Sequence, residues 1–182
     1  MTSRDTPIPW GRYSTDQVED LVSALLLREY PGAERMDGAG GDDGIDVLVP
    51  VSGGIHVFEI KSYRERLKPV QKRAIEKSAR TAAEKNLDMV VWTLVLPLDH
   101  TPAERRWMNR DLASVAGVPV DWMGRTRLEA GLARHPDLVR YYAPGSVEHV
   151  AFDLLAEHDR QALPPMRSTR STPSASTSSP PR

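Results

Sequence analysis

The stretch Gly40–Lys61, GGDDGIDVLVPVSGGIHVFEIK, decides how this chain is read. It holds two β-type runs, Ile45–Val49 and Ile55–Lys61, with a turn at Ser52–Gly54 between them. Val, Ile and Phe fill the runs while Gly, Asp, Pro and Ser bracket them, which is the signal of a hairpin. Charges interrupt the apolar text at three places: Asp46 in the first run, Glu59 and Lys61 at the end of the second. Residues two apart on a strand share a face, so Glu59 and Lys61 project together while Phe58 and Ile60 project to the other side. Pairing the strands brings Asp46 toward the same face, so two carboxylates and an ammonium are expected to converge at one end of an apolar sheet.

A charge at the edge of a core is unfavourable unless it is paired or bound to a metal. Magnesium is a hard cation that takes one or two carboxylates and keeps water and phosphate oxygens as its other ligands. Asp46 and Glu59 suit such a site. Lys61 is placed to stabilise negative charge growing on a phosphate and to orient an attacking water. A surface Glu–Lys pair on an ordinary hairpin is the plainer reading of the same residues.

Asp46 followed thirteen residues later by Glu59-x-Lys61 resembles the signature of the PD-(D/E)xK nuclease superfamily. The surrounding text, GGDDGID and then VFEIKSY, is most similar to its Mrr-type restriction-endonuclease branch. That resemblance implies an α/β restriction-endonuclease-like fold: an αβββαβ core whose mixed central sheet is flanked by helices and whose central hairpin carries the catalytic residues. It implies Asp46, Glu59 and Lys61 as the catalytic set, with Asp46 and Glu59 holding Mg²⁺, for which Mn²⁺ can substitute. It also points to an acidic residue on the first helix, where Glu19 matches and Asp20 competes, and to a glutamine near the start of the second, where Gln71 matches.

Length and composition set the bounds. At 182 residues the chain is long enough for one domain with a substantial core. No apolar run approaches the roughly 20 residues needed to cross a bilayer, and the first residues lack the apolar stretch of a secretory signal. There are no cysteines, which excludes disulfides and thiolate metal sites and is compatible with a cytoplasmic location. The net charge of −1 does not mark a nucleic-acid binder, but between Lys61 and Lys85 nine Lys or Arg stand against three Glu. An acidic pocket beside a basic flank suits phosphodiester chemistry, and Lys68, Lys72 and Arg73 are the expected nucleic-acid contacts. A solvated helix face gives the same charge run.

Taken in order, residues 1–13 read as a loosely held arm anchored by Trp10 and Tyr13. Ser14-Thr-Asp-Gln17 is a capping box opening a helix to about Tyr30, with Val18, Leu21, Val22, Leu25 and Leu26 on one face. A short strand is expected at Ala33–Met36, then a glycine-rich turn, Asp37–Gly44, able to aim Asp42 and Asp43 at the same pocket. Pro69 near its start marks a second helix over about Lys68–Leu87, packing through Val70, Ala74, Ile75, Ser78 and Ala82. Asp88–Pro97 is a nearly continuous apolar run of strand length, so it reads as a strand buried on both faces. A second capping box, Thr101–Glu104, starts a helix to about Ala116, Gly117 stops it, and Val118–Met123 is a further strand. Gly124–Tyr142 reads as two short helices split at His135–Pro136, and Val147–Ala162 as another.

The expected organisation is an arm (1–13), a nuclease core (14–123), a small helical extension (124–162) and a disordered Pro/Ser/Thr/Arg tail (163–182). The five histidines are too scattered for a zinc site, and no Gly-x-Ser-x-Gly elbow is present. The function expected from the resemblance is Mg²⁺-dependent endonucleolytic hydrolysis of DNA in defence against foreign DNA. DNA and other subunits or domains of a defence system are the expected partners, with no membrane association and a homodimer left open. Two alternatives stay open: a catalytically silent nuclease fold that binds nucleic acid, and a protein-docking adaptor of a larger system.

Overall fold

The computed structural model describes residues 8–36, 44–86 and 88–146. The expected acidic turn with Asp42 and Asp43, the helix at 147–162 and the tail at 163–182 lie outside them. The described residues form a mixed α/β unit around one five-stranded sheet in the order β1-β2-β3-β4-β5. The strands are β1 (Glu34–Arg35), β2 (Val47–Val51), β3 (Gly54–Ile60), β4 (Met89–Val95) and β5 (Val120–Met123). The β1–β2 and β2–β3 pairs are antiparallel, and β3–β4 and β4–β5 are parallel.

A 3₁₀ turn, Trp10–Arg12, precedes helix α1 (Thr15–Glu29), and both Trp10 and Tyr13 are buried. From Ile8 onward the arm is therefore docked rather than loose. The predicted capping box is present: Ser14 Oγ accepts the Gln17 N–H at 3.1 Å, and Gln17 Oε1 accepts the Ser14 N–H at 2.9 Å. The whole apolar stripe Val18–Leu26 is buried, packing with Phe58, Ile60 and Leu128 on one face of the sheet. Helices α5 (Arg125–Leu132) and α6 (Pro136–Tyr142) complete that layer, split at His135–Pro136 as the sequence predicts.

On the other face lies α2 (Pro69–Lys85), followed in the chain by β4 and then a long rod. The rod runs as α3 (Pro102–Trp107), a π-helical stretch (Met108–Leu112) and α4 (Ala113–Ala116), and Gly117 at φ 67° ends it. Val57, Ile75, Trp92, Leu94 and Leu112 form the core of this side. Burying side chains of this size contributes about 1.5–3 kcal/mol each, which is what clamps both helical layers to the sheet.

Several boundaries move. The hairpin strands begin and end differently from Ile45–Val49 and Ile55–Lys61, and the turn contracts to Ser52–Gly53. β1, β4 and β5 are shorter than the expected Ala33–Met36, Asp88–Pro97 and Val118–Met123. On α2 the packing stripe is Ile75, Ser78, Ala79 and Ala82; Val70 is 62% exposed and Ala74 is exposed. The buried stripe of α2 thus begins at Ile75, in its second turn.

Candidate active site

Strands β3, β4 and β5 are parallel, so their C-terminal ends lie on one edge of the sheet. β2 is antiparallel to β3, so its start lies on that edge too. This topology brings Asp46, just before β2, to Glu59 and Lys61 at the end of β3. Val47 pairs with Phe58, and one further step sets Asp46 against Glu59.

The delay of β2 to Val47 has a local cause. The Asp46 carbonyl accepts the Met36 N–H at 2.9 Å, turned toward the β1 side. The Ile60 N–H bonds instead to the Asp46 carboxylate, with Oδ2 accepting at 2.5 Å. A side chain thus replaces a rung of the ladder, the regular pairing stops, and the carboxylate is fixed at the strand end. Gly44, two residues earlier, has φ 70°, and a Cβ there would lie 2.2 Å from the Ser78 carbonyl oxygen of α2. Only glycine allows the chain to pass so close to the helix on its way to Asp46.

Glu59 is 2% exposed, and Lys61 Nζ lies 2.5 Å from its Oε1 with the lysine side chain 25% exposed. The Ser78 side chain also hydrogen-bonds to Glu59. Lys61 N donates to the Val95 carbonyl at 2.8 Å, which continues the parallel ladder one residue beyond β3. Glu19 reaches this edge from α1, whose first residue is tied to the loop after β3 by a 3.2 Å contact between Thr15 Oγ1 and Ser62 Oγ.

All three carboxyls are pushed above the ordinary carboxylate range, in each case chiefly by burial. Lys61 pulls all three back. Glu19 disfavours the ionised form of Asp46, Asp46 that of Glu59, and Glu59 that of Glu19. The edge is short of positive charge, and Lys61 is the cation acting on every member of the group. Hard oxygen donors in that condition fit a divalent cation. Among the described residues no three acidic or histidine side chains surround one point at ligand distance. Asp46 and Glu59 are the two carboxylates at this edge that would hold such an ion.

Of the other predicted residues, Asp20 is turned away and pairs with Arg35 at 2.6 Å, which favours Glu19 over it at the site. Gln71 closes the start of α2, its Oε1 accepting the Lys68 N–H at 2.8 Å. Lys68 and Arg73 are exposed, whereas Lys72 Nζ sits 5.0 Å from the Trp107 ring centroid in a cation–π contact. His56 lies on the opposite face from Glu59, stacked on Phe58 and within 2.7 Å of Thr93 Oγ1.

Two supports of the site escape a reading of the sequence. Ser78 reads there as a packing residue alone, and its place one turn beyond the buried Ile75 is the only signal that it faces the hairpin. Glu104 reads as a helix cap, and it is one: it accepts the Thr101 N–H at 2.7 Å. It also accepts the Leu67 N–H at 3.3 Å and pairs with Arg66 at 3.2 Å, so it pins the loop that joins Lys61 to α2. Among the described residues no helix is long and apolar enough to cross a membrane. The chain matches no known protein-family model and no curated protein.

Proposed function

We infer that the chain is a metal-dependent endonuclease that hydrolyses phosphodiester bonds in DNA on a restriction-endonuclease-like fold. The observation that carries this reading is the grouping of Asp46, Glu59 and Lys61 where the start of β2 meets the end of β3. The order α1-β1-β2-β3-α2-β4 around a mixed sheet is the αβββαβ arrangement the sequence resemblance calls for, and it supports the same reading.

Asp46 and Glu59 would hold Mg²⁺. When bound, the ion supplies Lewis-acid polarisation of a phosphoryl oxygen. The chain's own residues do the rest. Lys61 shares the face of Glu59, so its ammonium is positioned to balance negative charge that develops on the phosphate as one P–O bond forms to water and another breaks. Glu19, with its proton affinity raised by burial, is the group at this edge suited to take a proton from that water. The buried sheet end and Ser78 keep the carboxylates from rotating away.

The direct Lys61–Glu59 pair favours a second reading, a catalytically silent module that binds nucleic acid, because it engages the ammonium that catalysis needs. Incubating the purified chain with supercoiled plasmid and Mg²⁺ separates the two. The nuclease reading expects nicked and linear product with the wild type, none with Asp46→Asn, and a rate about 10²–10³-fold lower with Lys61→Ala. Binding without Mg²⁺-dependent product establishes the silent module instead. Wild-type cleavage by Asp46→Asn overturns the site assignment.

A further inference from the structure

Beyond the same carboxyl ends of the parallel strands lies a cavity of about 340 Å³ lined by Arg12, Arg64 and Arg125 together with Trp10 and Pro97. Four separate segments build it: the turn before α1, the loop after β3, and the starts of the connections that follow β4 and β5. Arg64 is three residues beyond Lys61, Pro97 is two beyond the end of β4, and Arg125 is two beyond the end of β5. The Lys61 N–H to Val95 bond and the Leu96 N–H to Met123 bond hold these strand ends side by side. In open α/β sheets the carboxyl ends of parallel strands are where ligands bind.

Two of the three arginines are held in place. Arg64 Nη2 donates to the Tyr13 carbonyl at 2.5 Å, which ties the loop after β3 to the entry of α1. Arg125 Nε donates to Glu129 Oε1 at 2.8 Å, and the same oxygen accepts the Trp10 indole N–H at 3.0 Å. Glu129 thereby sets the Arg125 guanidinium beside the arm. Among the described residues neither Arg12 nor Arg64 is paired with a carboxylate, so the cavity carries net positive charge beside a strongly acidic edge. A guanidinium offers planar, bidentate donors that match phosphate oxygens.

We propose that this cavity seats backbone phosphates of the nucleic-acid strand next to the one presented to Asp46, Glu59 and Lys61, with Arg12 and Arg125 as its principal contacts. The proposal rests on the nuclease reading for its choice of ligand. It moves the main electrostatic footprint from the α2 flank, where Lys72 is already drawn over Trp107, to the α1 side of the edge.

The test measures binding apart from cleavage. A short fluorescein-labelled DNA duplex is titrated in EDTA, and anisotropy gives the affinity across about 50–200 mM salt. Four proteins are compared: the wild type, Arg12→Gln/Arg125→Gln, Arg12→Lys/Arg125→Lys, and an Arg110→Gln/Arg140→Gln control that removes the same charge from exposed positions elsewhere. Each phosphate no longer neutralised by an arginine should lower the slope of log K against log salt by about 0.9, so the glutamine pair should lose about 1.8. The lysine pair should retain most of the slope, and the control should match the wild type. Thermal melts that agree among the four proteins establish that folding is not the cause. A glutamine pair whose slope matches the control overturns the cavity while leaving plasmid cleavage to stand. A wild type that binds no DNA in this assay overturns the cavity, and plasmid cleavage in Mg²⁺ then decides the nuclease reading on its own.

Discussion

Lys61→Ala is the perturbation whose effect on the metal-free fold follows most directly from the geometry. The variant removes the partner of a carboxylate that is 2% exposed and only 2.5 Å from the ammonium. Breaking a buried pair from one side destabilises by about 3–5 kcal/mol because a charge is left without compensation. Two features lower that figure. The lysine side chain keeps a quarter of its exposure, so water already screens the pair. Glu59 can also take up a proton, since burial has raised its proton affinity before Lys61 is removed. The expected loss is about 2–3 kcal/mol, a sizeable part of the 5–15 kcal/mol typical of a domain. At about 3–5 °C per kcal/mol for a unit of this size, the melting temperature in EDTA should fall by about 6–15 °C. Magnesium should then raise the variant's melting temperature more than the wild type's, because no ammonium competes with the ion for Glu59. Differential scanning fluorimetry in EDTA and across a Mg²⁺ titration reads both effects. A variant that melts within about 2 °C of the wild type in EDTA, with equal Mg²⁺ shifts, would show that Glu59 does not depend on Lys61 and would refute the reasoning.

Asp46→Asn keeps an oxygen for the Ile60 N–H but removes a carboxylate that burial disfavours. Because the folded protein binds the Asp46 proton more tightly than the unfolded chain does, this group contributes stability at low pH. That contribution is lost as pH rises from about 4 through the raised folded value. In EDTA at neutral pH the variant should therefore unfold at higher urea than the wild type, with the gap closing toward pH 4, whereas Mg²⁺ should stabilise only the wild type; equal midpoints at all pH values would contradict this. Gly44→Ala combines a left-handed conformation, about 1–2 kcal/mol for a residue with a Cβ, with a 2.2 Å approach to the Ser78 carbonyl that forces α2 outward. With about 1–3 kcal/mol for the forced repacking, the urea midpoint should drop markedly and cleavage should fall further than stability alone accounts for, as Ser78 leaves Glu59. Retention of both would show that α2 does not brace the site.

The helix starts are legible in the sequence because their signals are local. Ser14 with Gln17, Thr101 with Glu104 and Pro69 each carry a complete capping instruction within four residues. The meeting of Asp46 with Glu59 is legible because a hairpin with a short turn leaves little freedom of register. Whatever depends on two distant segments is not. The α2 stripe lies one turn later than its spacing suggests, because nothing in Val70 or Ala74 says where the sheet ends. Gln71 caps behind Lys68, whose short-range pattern lacks the usual Ser or Thr. The arginine cavity joins residues 12, 64 and 125, and no spacing rule links positions so far apart.

The turn at Ser52–Gly53 sits at the far end of β3 from Glu59, and the six steps from Gly53 to Glu59 at about 3.3 Å each put roughly 20 Å between them. Gly53 at φ 91° faces open space, whereas a Cβ on the next residue, Gly54, would strike the Asp88 carbonyl at 2.1 Å. The hairpin therefore offers a grafting point between Ser52 and Gly53. A peptide tag, a fluorophore-bearing loop or a surface tether inserted there would ride on the same rigid strands that carry the acidic edge, on the side facing away from any duplex lying across it.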